Sequence, residues 1–173
     1  ETGVTMYRKN GKFGVCCHEN EVKEDDTTKS FLWDVARKLD LENRMIAMHL
    51  DNIAIQGELA GPKIQKNRLK LLEHQWFVFT MKDLSTGHRL SLNQMLDIAN
   101  DLGLTTVPIE ETGENLQDKY PTLDSLLERA NGYYQSGQKK EGIVIRPRIP
   151  VASPTLSGAL SFKVLNNDFL LKE

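Results

Sequence analysis

A chain of 173 residues is long enough to bury a core of its own without disulfide or metal staples. Its balance of 39% hydrophobic and 27% charged residues excludes a disordered chain, and no apolar run reaches membrane-spanning length. With 22 Lys and Arg against 24 Asp and Glu the net charge is −2, so no global field draws the chain to a polyanion and any such site must be a local basic patch.

The first element expected is a β-hairpin. Strands over residues 4–9 and 12–17 flank Asn10-Gly11, a dipeptide suited to a type I′ turn, which needs positive φ at both central positions. Cys16 and Cys17 are the only cysteines. As strand neighbours they point to opposite faces, which disfavours a disulfide between them and points to a reducing, cytoplasmic setting. His18, His49, His74 and His88 show no metal-ligand spacing with them, so no structural zinc site is expected. Residues 19–26 are charged and read as a solvated loop. Thr28 or Ser30 then caps a helix whose apolar stripe is Phe31, Leu32, Val35, Ala36 and Leu39, with a short second helix near residues 41–50.

Residues 52–59 alternate as a strand. Ile53, Ile55 and Leu59 fall on one face, and Ala54, Gln56 and Glu58 on the other, so Glu58 stands on the more polar face beside Gly57. Residues 61–72 form the densest basic stretch: Lys63, Lys66, Arg68 and Lys70, interrupted by Gln65 and Asn67. Such a stretch is either an ordinary solvated loop or a track for a phosphodiester backbone. Residues 75–81 read as a strand with Trp76 and Val78 facing one way and Phe77 and Phe79 the other, one pair for the core and one available to stack on a base. Ser91 caps a helix to about Leu102, stopped by Gly103, that buries Leu92, Met95, Leu96, Ala99 and Leu102. Residues 105–109 are an edge segment interrupted by Pro108. Thr122 caps a further helix with Leu123, Leu126, Leu127 and Ala130 inward.

The run Glu141-Gly142-Ile143-Val144-Ile145-Arg146-Pro147 places a carboxylate at a strand mouth. Period-two alternation puts Glu141, Ile143 and Ile145 on one side and Gly142, Val144 and Arg146 on the other, and the glycine lets another group come close. A carboxylate so placed either starts a solvated strand or holds a hard cation such as Mg²⁺ next to a phosphate. A loop over 147–158 leads to a last strand, 160–165, in which Lys163 alternates with Phe162 and Val164. The abrupt start at Glu1 and the charged stop over 169–173 suggest a chain cut at both ends. Helices alternate irregularly with strands and hairpins, which gives an α+β class of mainly antiparallel sheets flanked by helices, with residues 1–173 forming one domain.

Four strings then narrow the reading: Phe13-Gly14-Val15-Cys16, Gly57-Glu58-Leu59-Ala60-Gly61-Pro62-Lys63-Ile64-Gln65-Lys66-Asn67, Glu141-Gly142-Ile143-Val144-Ile145-Arg146-Pro147 and Ser161-Phe162-Lys163-Val164. In order and spacing they resemble the ATP-dependent RNA ligases of the covalent nucleotidyltransferase superfamily, in the branch similar to RNA ligase 2. The resemblance implies a nucleotidyltransferase (ATP-grasp-like) adenylation domain. It also implies a ligase that joins 3′-hydroxyl and 5′-phosphate RNA ends, as in RNA repair, through enzyme-adenylate and RNA-adenylate intermediates. ATP and Mg²⁺ are the implied cofactors. The implied partners are RNA ends in a nicked or broken duplex, with an accessory domain in the full-length protein and no membrane. By the same resemblance Glu58 accepts a hydrogen bond from the adenosine ribose, and Phe79, or Phe77 on the same face, stacks on adenine. Glu141 stands at the catalytic Mg²⁺ and Lys163 at the α-phosphate. His18, Gln65, Lys66, Asn67 and Arg68 face the RNA.

The chain departs from the family in three places. The nucleophilic lysine of the family lies in a Lys-x-Asp-Gly string just before the hairpin, and no such string occurs here. Counting back from Tyr7, Glu1 stands at the string's glycine, so the lysine is expected upstream of Glu1 and the chain as given is not expected to adenylate itself. Lys9 and Lys12, at the far end of the hairpin, are poor substitutes. Where the family commonly continues Ser-Arg-Asn, this chain has Cys17, His18 and Glu19, and an imidazole cannot make the bidentate phosphate contact of a guanidinium. One lysine precedes Asn166 where some ligases carry two. Two alternatives therefore stand beside the ligase: a guanylyltransferase of the mRNA-capping type, disfavoured by Gln65 and Asn67, and a degenerate module that holds a nucleotide or RNA end without reacting.

Overall fold

The computed structural model describes residues 2–171; Glu1 and residues 172–173, where the expected cuts fall, lie outside the described residues. The class is α+β, as expected, and the chain forms two compact units. One comprises the chain up to Asn67 together with Leu71–Pro108, and the other comprises Arg68–Lys70 and the chain from Ile109 onward.

The first unit is built on a six-stranded sheet of β1 (Thr2–Lys9), β2 (Lys12–Cys17), β3 (Asn20–Val22), β4 (Ile53–Ala60), β5 (Gln75–Asp83) and β6 (Thr105–Thr106). The strand order is β3-β2-β1-β4-β5-β6, and only the β5–β6 pair is parallel. The expected hairpin is present, with φ of 49° at Asn10 and 77° at Gly11. Its turn is tied down by the Gly11 N–H, which donates to the Asp51 carboxylate at 3.1 Å. Helices α1 (Ser30–Lys38), α2 (Leu41–Ala47) and α3 (Leu92–Asp101) complete the unit. Val4, Met6, Val15, Ile55, Leu59, Val78 and Met81 of the sheet share one core with Leu32, Met45 and Ala99 of the helices.

Residues 19–26 are not all loop. Val22 is buried, and the edge strand β3 forms because Trp33, which lies outside the expected α1 stripe, is also buried and donates its Nε1–H to the Val22 carbonyl at 2.7 Å. Neither Thr28 nor Ser30 caps α1. Lys29 holds the N-cap position without a side-chain bond, and Thr28 donates to the Asp26 carboxylate instead. Ser91 does cap α3, in a reciprocal capping box with Gln94. Met95, Ala99 and Leu102 are buried, and Leu92 and Leu96 pack partly against the core.

The second unit holds α4 (Leu116–Lys119), α5 (Leu123–Ala130), β7 (Gly142–Ile145), β8 (Ala152–Ser153), β9 (Gly158–Ala159), β10 (Phe162–Leu165) and α6 (Asn167–Leu170). β7 and β10 pair antiparallel, with Lys163 opposite Val144 and Leu165 opposite Gly142. The stretch read as a loop over 147–158 carries one strand of a small hairpin, β8–β9. Thr122 caps α5 through a capping box with Ser125. Leu123, expected inward, is 69% exposed, because burial along the helix grows only toward Ala130 at its C-terminal end. Among the described residues no helix is long and apolar enough to cross a membrane.

Candidate active site

On the sheet of the first unit the register sets Glu58 between Gly3 of β1 and Phe77 of β5. Glu58 is half-buried on the face opposite Ile55 and Leu59, as the alternation predicts. The adjoining Gly57 serves the core: a β-carbon there would stand 2.6 Å from Trp76 Nε1 and 2.7 Å from the Phe77 carbonyl oxygen. Trp76 and Val78 are buried and Phe77 and Phe79 half-buried, so the first aromatic position belongs to the core and the second pair to the open face. The two phenylalanines differ. Gln56 pairs with Thr80 and Gly57 with Val78, which leaves Phe79 as the extra residue of a β-bulge. A bulge re-aims a side chain, while Phe77 remains the direct cross-strand neighbour of Glu58. An acceptor carboxylate beside two aromatic faces suits a nucleoside, with rings for the base and oxygens for a ribose hydroxyl.

His18 lies exposed in the β2–β3 turn with φ of 55°. Its neighbour Cys17 pairs with Val4, next to Gly3, so the turn stands at the end of the sheet that carries Glu58. Lys9 and Lys12 pair with each other at the opposite end. There Arg8 faces Ile53, five residues or about 17 Å along β4 from Glu58. In the basic loop Gln65 and Lys66 are exposed. Asn67 shapes the loop: its Nδ2 donates to the Leu71 carbonyl at 2.9 Å and its Oδ1 accepts from the Leu71 N–H at 3.1 Å.

In the second unit Glu141, Lys163 and Arg68 come together. Glu141 Oε2 lies 3.7 Å from Lys163 Nζ, and Oε1 lies 3.8 Å from Arg68 Nε. The Arg68 guanidinium also sits 4.5 Å from the centre of the Phe169 ring, and Ser136 Oγ donates to the Arg68 carbonyl at 2.7 Å. Arg68 is thus placed at the carboxylate, whereas Lys66 remains on the open loop. Unbroken alternation would set Glu141 with Ile143, on the face away from Lys163 and Val144. The alternation breaks at Gly142, whose φ is 150° and whose missing β-carbon would overlap the Val164 carbonyl oxygen. That break brings the carboxylate to the lysine. These ion pairs are open to water and contribute little to stability; what they supply is placed charge. Nearby, Lys140 donates to Glu110 at 2.8 Å, and Glu111 bonds Lys119, Tyr120 and Arg129.

No group of three or more His, Cys, Asp or Glu that could hold a metal occurs among the described residues. The donor set, one half-exposed carboxylate beside a lysine, fits Mg²⁺, which binds through one or two carboxylates plus phosphate oxygens and waters. It does not fit a zinc or calcium cage.

A sheet face that sets a half-buried carboxylate beside aromatic side chains, and a carboxylate–lysine pair on a second, smaller sheet, match the layout of a nucleotidyltransferase. The sequence profile of the RNA ligase family matches residues 2–165, and the chain belongs to that family. An RNA ligase from Naegleria gruberi solved with PPi is similar at 26% identity and TM-score 0.82, over 99% of this chain and 48% of that one. A glutamate-to-alanine variant of a Naegleria gruberi RNA ligase, solved with ATP and Mn, is similar at 26% identity and TM-score 0.83, over 99% of this chain and 49% of that one. A lysine-to-methionine variant solved with AMP and Mn matches at 26% identity and TM-score 0.81, over 99% and 48% of the two chains. The chain spans about half the length of these ligases. No curated protein matches it.

Proposed function

We propose that this chain is the nucleotidyltransferase part of an ATP-dependent RNA ligase that joins 3′-hydroxyl to 5′-phosphate RNA ends by way of enzyme-adenylate and RNA-adenylate intermediates. The observation that carries the reading is the Glu141–Lys163 pair, 3.7 Å apart at the mouth of β7 and β10, in a chain of the RNA ligase family. ATP, AMP and Mn in the Naegleria structures support ATP and a divalent ion as the reactants' companions here.

Each step is an in-line substitution at phosphorus, so catalysis rests on positioning and charge. Glu58 accepts from a ribose hydroxyl and Phe79 stacks on the base, which together orient the nucleotide. Lys163 holds a fixed positive charge for an α-phosphate oxygen as the fifth ligand arrives. Mg²⁺ at Glu141, when bound, neutralises phosphate charge. Gly3 pairs with Glu58 and Thr2 with Leu59, so the N-terminal end of β1, which the family's nucleophilic lysine precedes, lies beside Glu58. Gln65 and Lys66 on the exposed loop, with His18, supply contacts to the RNA. A cytoplasmic setting belongs to the same proposal and is supported by Cys16 and Cys17, both free thiols.

His18 in place of arginine favours a second reading, a module that holds a nucleotide or RNA end without reacting. Intact mass of the parent protein, including residues before Glu1, separates the two. A gain of one adenylate with ATP and Mg²⁺, absent in Lys163→Ala and Glu141→Ala, supports the ligase. Nucleotide binding with no adduct selects the binding module, and labelling by GTP in preference to ATP selects capping-type chemistry.

A further inference from the structure

Asn166 is 1% exposed, and its four polar groups are committed to two tasks. Its side-chain Nδ2 donates to the Lys140 carbonyl at 2.9 Å, and its backbone N–H donates to the Glu141 carbonyl at 2.9 Å. These carbonyls belong to the two peptide planes on either side of the Glu141 Cα. One residue therefore pins the backbone before and after the carboxylate. On its other side, Oδ1 accepts from the Asp168 N–H at 3.1 Å and the backbone carbonyl accepts from the Phe169 N–H at 3.0 Å. Asn166 thus also starts α6, the helix that carries the ring against which Arg68 rests.

The position calls for such a clamp. Regular pairing of β7 with β10 ends at Gly142 and Leu165, and Gly142 leaves the usual strand conformation, so Glu141 lies just past the ladder, where the Asn166 N–H holds its carbonyl. An amide supplies a donor for the Lys140 carbonyl and an acceptor for the Asp168 N–H from two separate atoms of one short side chain. We infer that Asn166 is a positioning residue for Glu141, holding its carboxylate in line with Lys163 and Arg68 for a divalent ion. This deepens the proposed ligase reading and rests on it for the identity of the reaction.

The test uses the full parent protein with Asn166→Asp, which keeps the acceptor that caps α6 and loses the donor to Lys140. Two quantities are read: kcat and KM for self-adenylation, and Mn²⁺ binding in the presence of AMP by electron paramagnetic resonance. The expected result is a loss of about 10- to 100-fold in kcat and in Mn²⁺ affinity, the scale for residues that orient a metal ligand, with KM for ATP unchanged. Asn166→Ser, whose hydroxyl caps α6 but is too short for Lys140, gives the same readings if the Asp variant does not fold. Wild-type kcat and Mn²⁺ affinity in either folded variant overturn the inference, since a residue that merely caps α6 would behave that way. Mn²⁺ binding indifferent to Glu141→Ala overturns it as well. A wild-type protein that never adenylates, yet whose Mn²⁺ binding is weakened by Glu141→Ala and by Asn166→Asp, removes the ligase reading and leaves the positioning role standing.

Discussion

Gly142 lies so close to the carbonyl oxygen of Val164 that a β-carbon would overlap it, and its φ of 150° is one that L side chains rarely adopt. The close approach is what turns Glu141 toward Lys163. Gly142→Ala is therefore expected to cost about 1–3 kcal/mol in stability through backbone strain. Displacing the carboxylate by an ångström is expected to lower adenylation by about 10²-fold. Thermal unfolding and adenylation of the parent protein check both, and full activity would show that Glu141 does not need this backbone.

The bulge separates the two open-face phenylalanines. Phe79→Ala is expected to lose about 1–3 kcal/mol of nucleotide binding, the worth of a stacked base, while Phe79→Trp keeps it. Phe77→Ala is expected to cost less. Calorimetry with AMP decides, and a larger loss at Phe77 would move the stacking role to the cross-strand partner of Glu58.

Lys66 and Arg68 are two residues apart in one basic run, but they answer to different groups. Lys66→Ala is expected to weaken RNA binding uniformly and to reduce the salt slope by about one, with self-adenylation intact. Arg68→Ala, which leaves Glu141 with one cation and Phe169 uncovered, is expected to impair self-adenylation. Equal effects of the two changes on both assays would deny the division.

The Glu111 carboxyl is held down at about 2 by hydrogen bonds from Lys119, Tyr120 and Arg129. Because this folded value lies below the ordinary 4.5, the stabilisation is present above pH 4.5 and is lost as pH falls through about 2. Glu111→Gln is expected to flatten the melting temperature of the second unit across that window. Curves for the two proteins that stay parallel down to pH 2 would show that the carboxylate is not coupled to folding.

On the alkaline side, the Tyr7 hydroxyl donates to Glu21 at 2.6 Å, and that carboxylate, with burial, pushes the phenol up to about 12. The raised value means stabilisation present below pH 10 and lost as pH rises through about 12. Ultraviolet titration is expected to show Tyr7 ionising late, and earlier in Glu21→Gln.

What could be read in the sequence was local. Asn10-Gly11 announces its hairpin because the φ requirement lies within the dipeptide, and Ser91 and Thr122 announce their helices through side chains that reach only three residues ahead. The separation of Trp76 and Val78 from Phe77 and Phe79 follows from alternation alone. What could not be read depends on a partner distant in the chain. Asn20 and Glu21 look like loop until Val22 meets Trp33. The status of Phe79 depends on the register of β4, and the direction of Glu141 depends on Val164 across the ladder. Arg68 reads as one more lysine-like charge because Glu141 and Phe169, its neighbours in space, lie far along the sequence. Asn166 carried one faint local signal, a side chain suited to cap the helix after it.

The central pairing of the large sheet also orders events in time. β1 reaches β2 through a two-residue turn, but Thr2 meets Leu59, and Arg8 meets Ile53, across β2, β3, α1 and α2, which lie between them in the chain. Closing so long a loop is slow beside zipping a hairpin. Glu58 rides on the strand whose pairing with β1 closes a loop of about fifty residues, so its face of the sheet is expected to mature late in folding, as loop length dictates. A chain stalled with its hairpin and α3 already formed would be collapsed and helical yet blind to ATP, and recovery of nucleotide binding would mark the moment the sheet's centre closes.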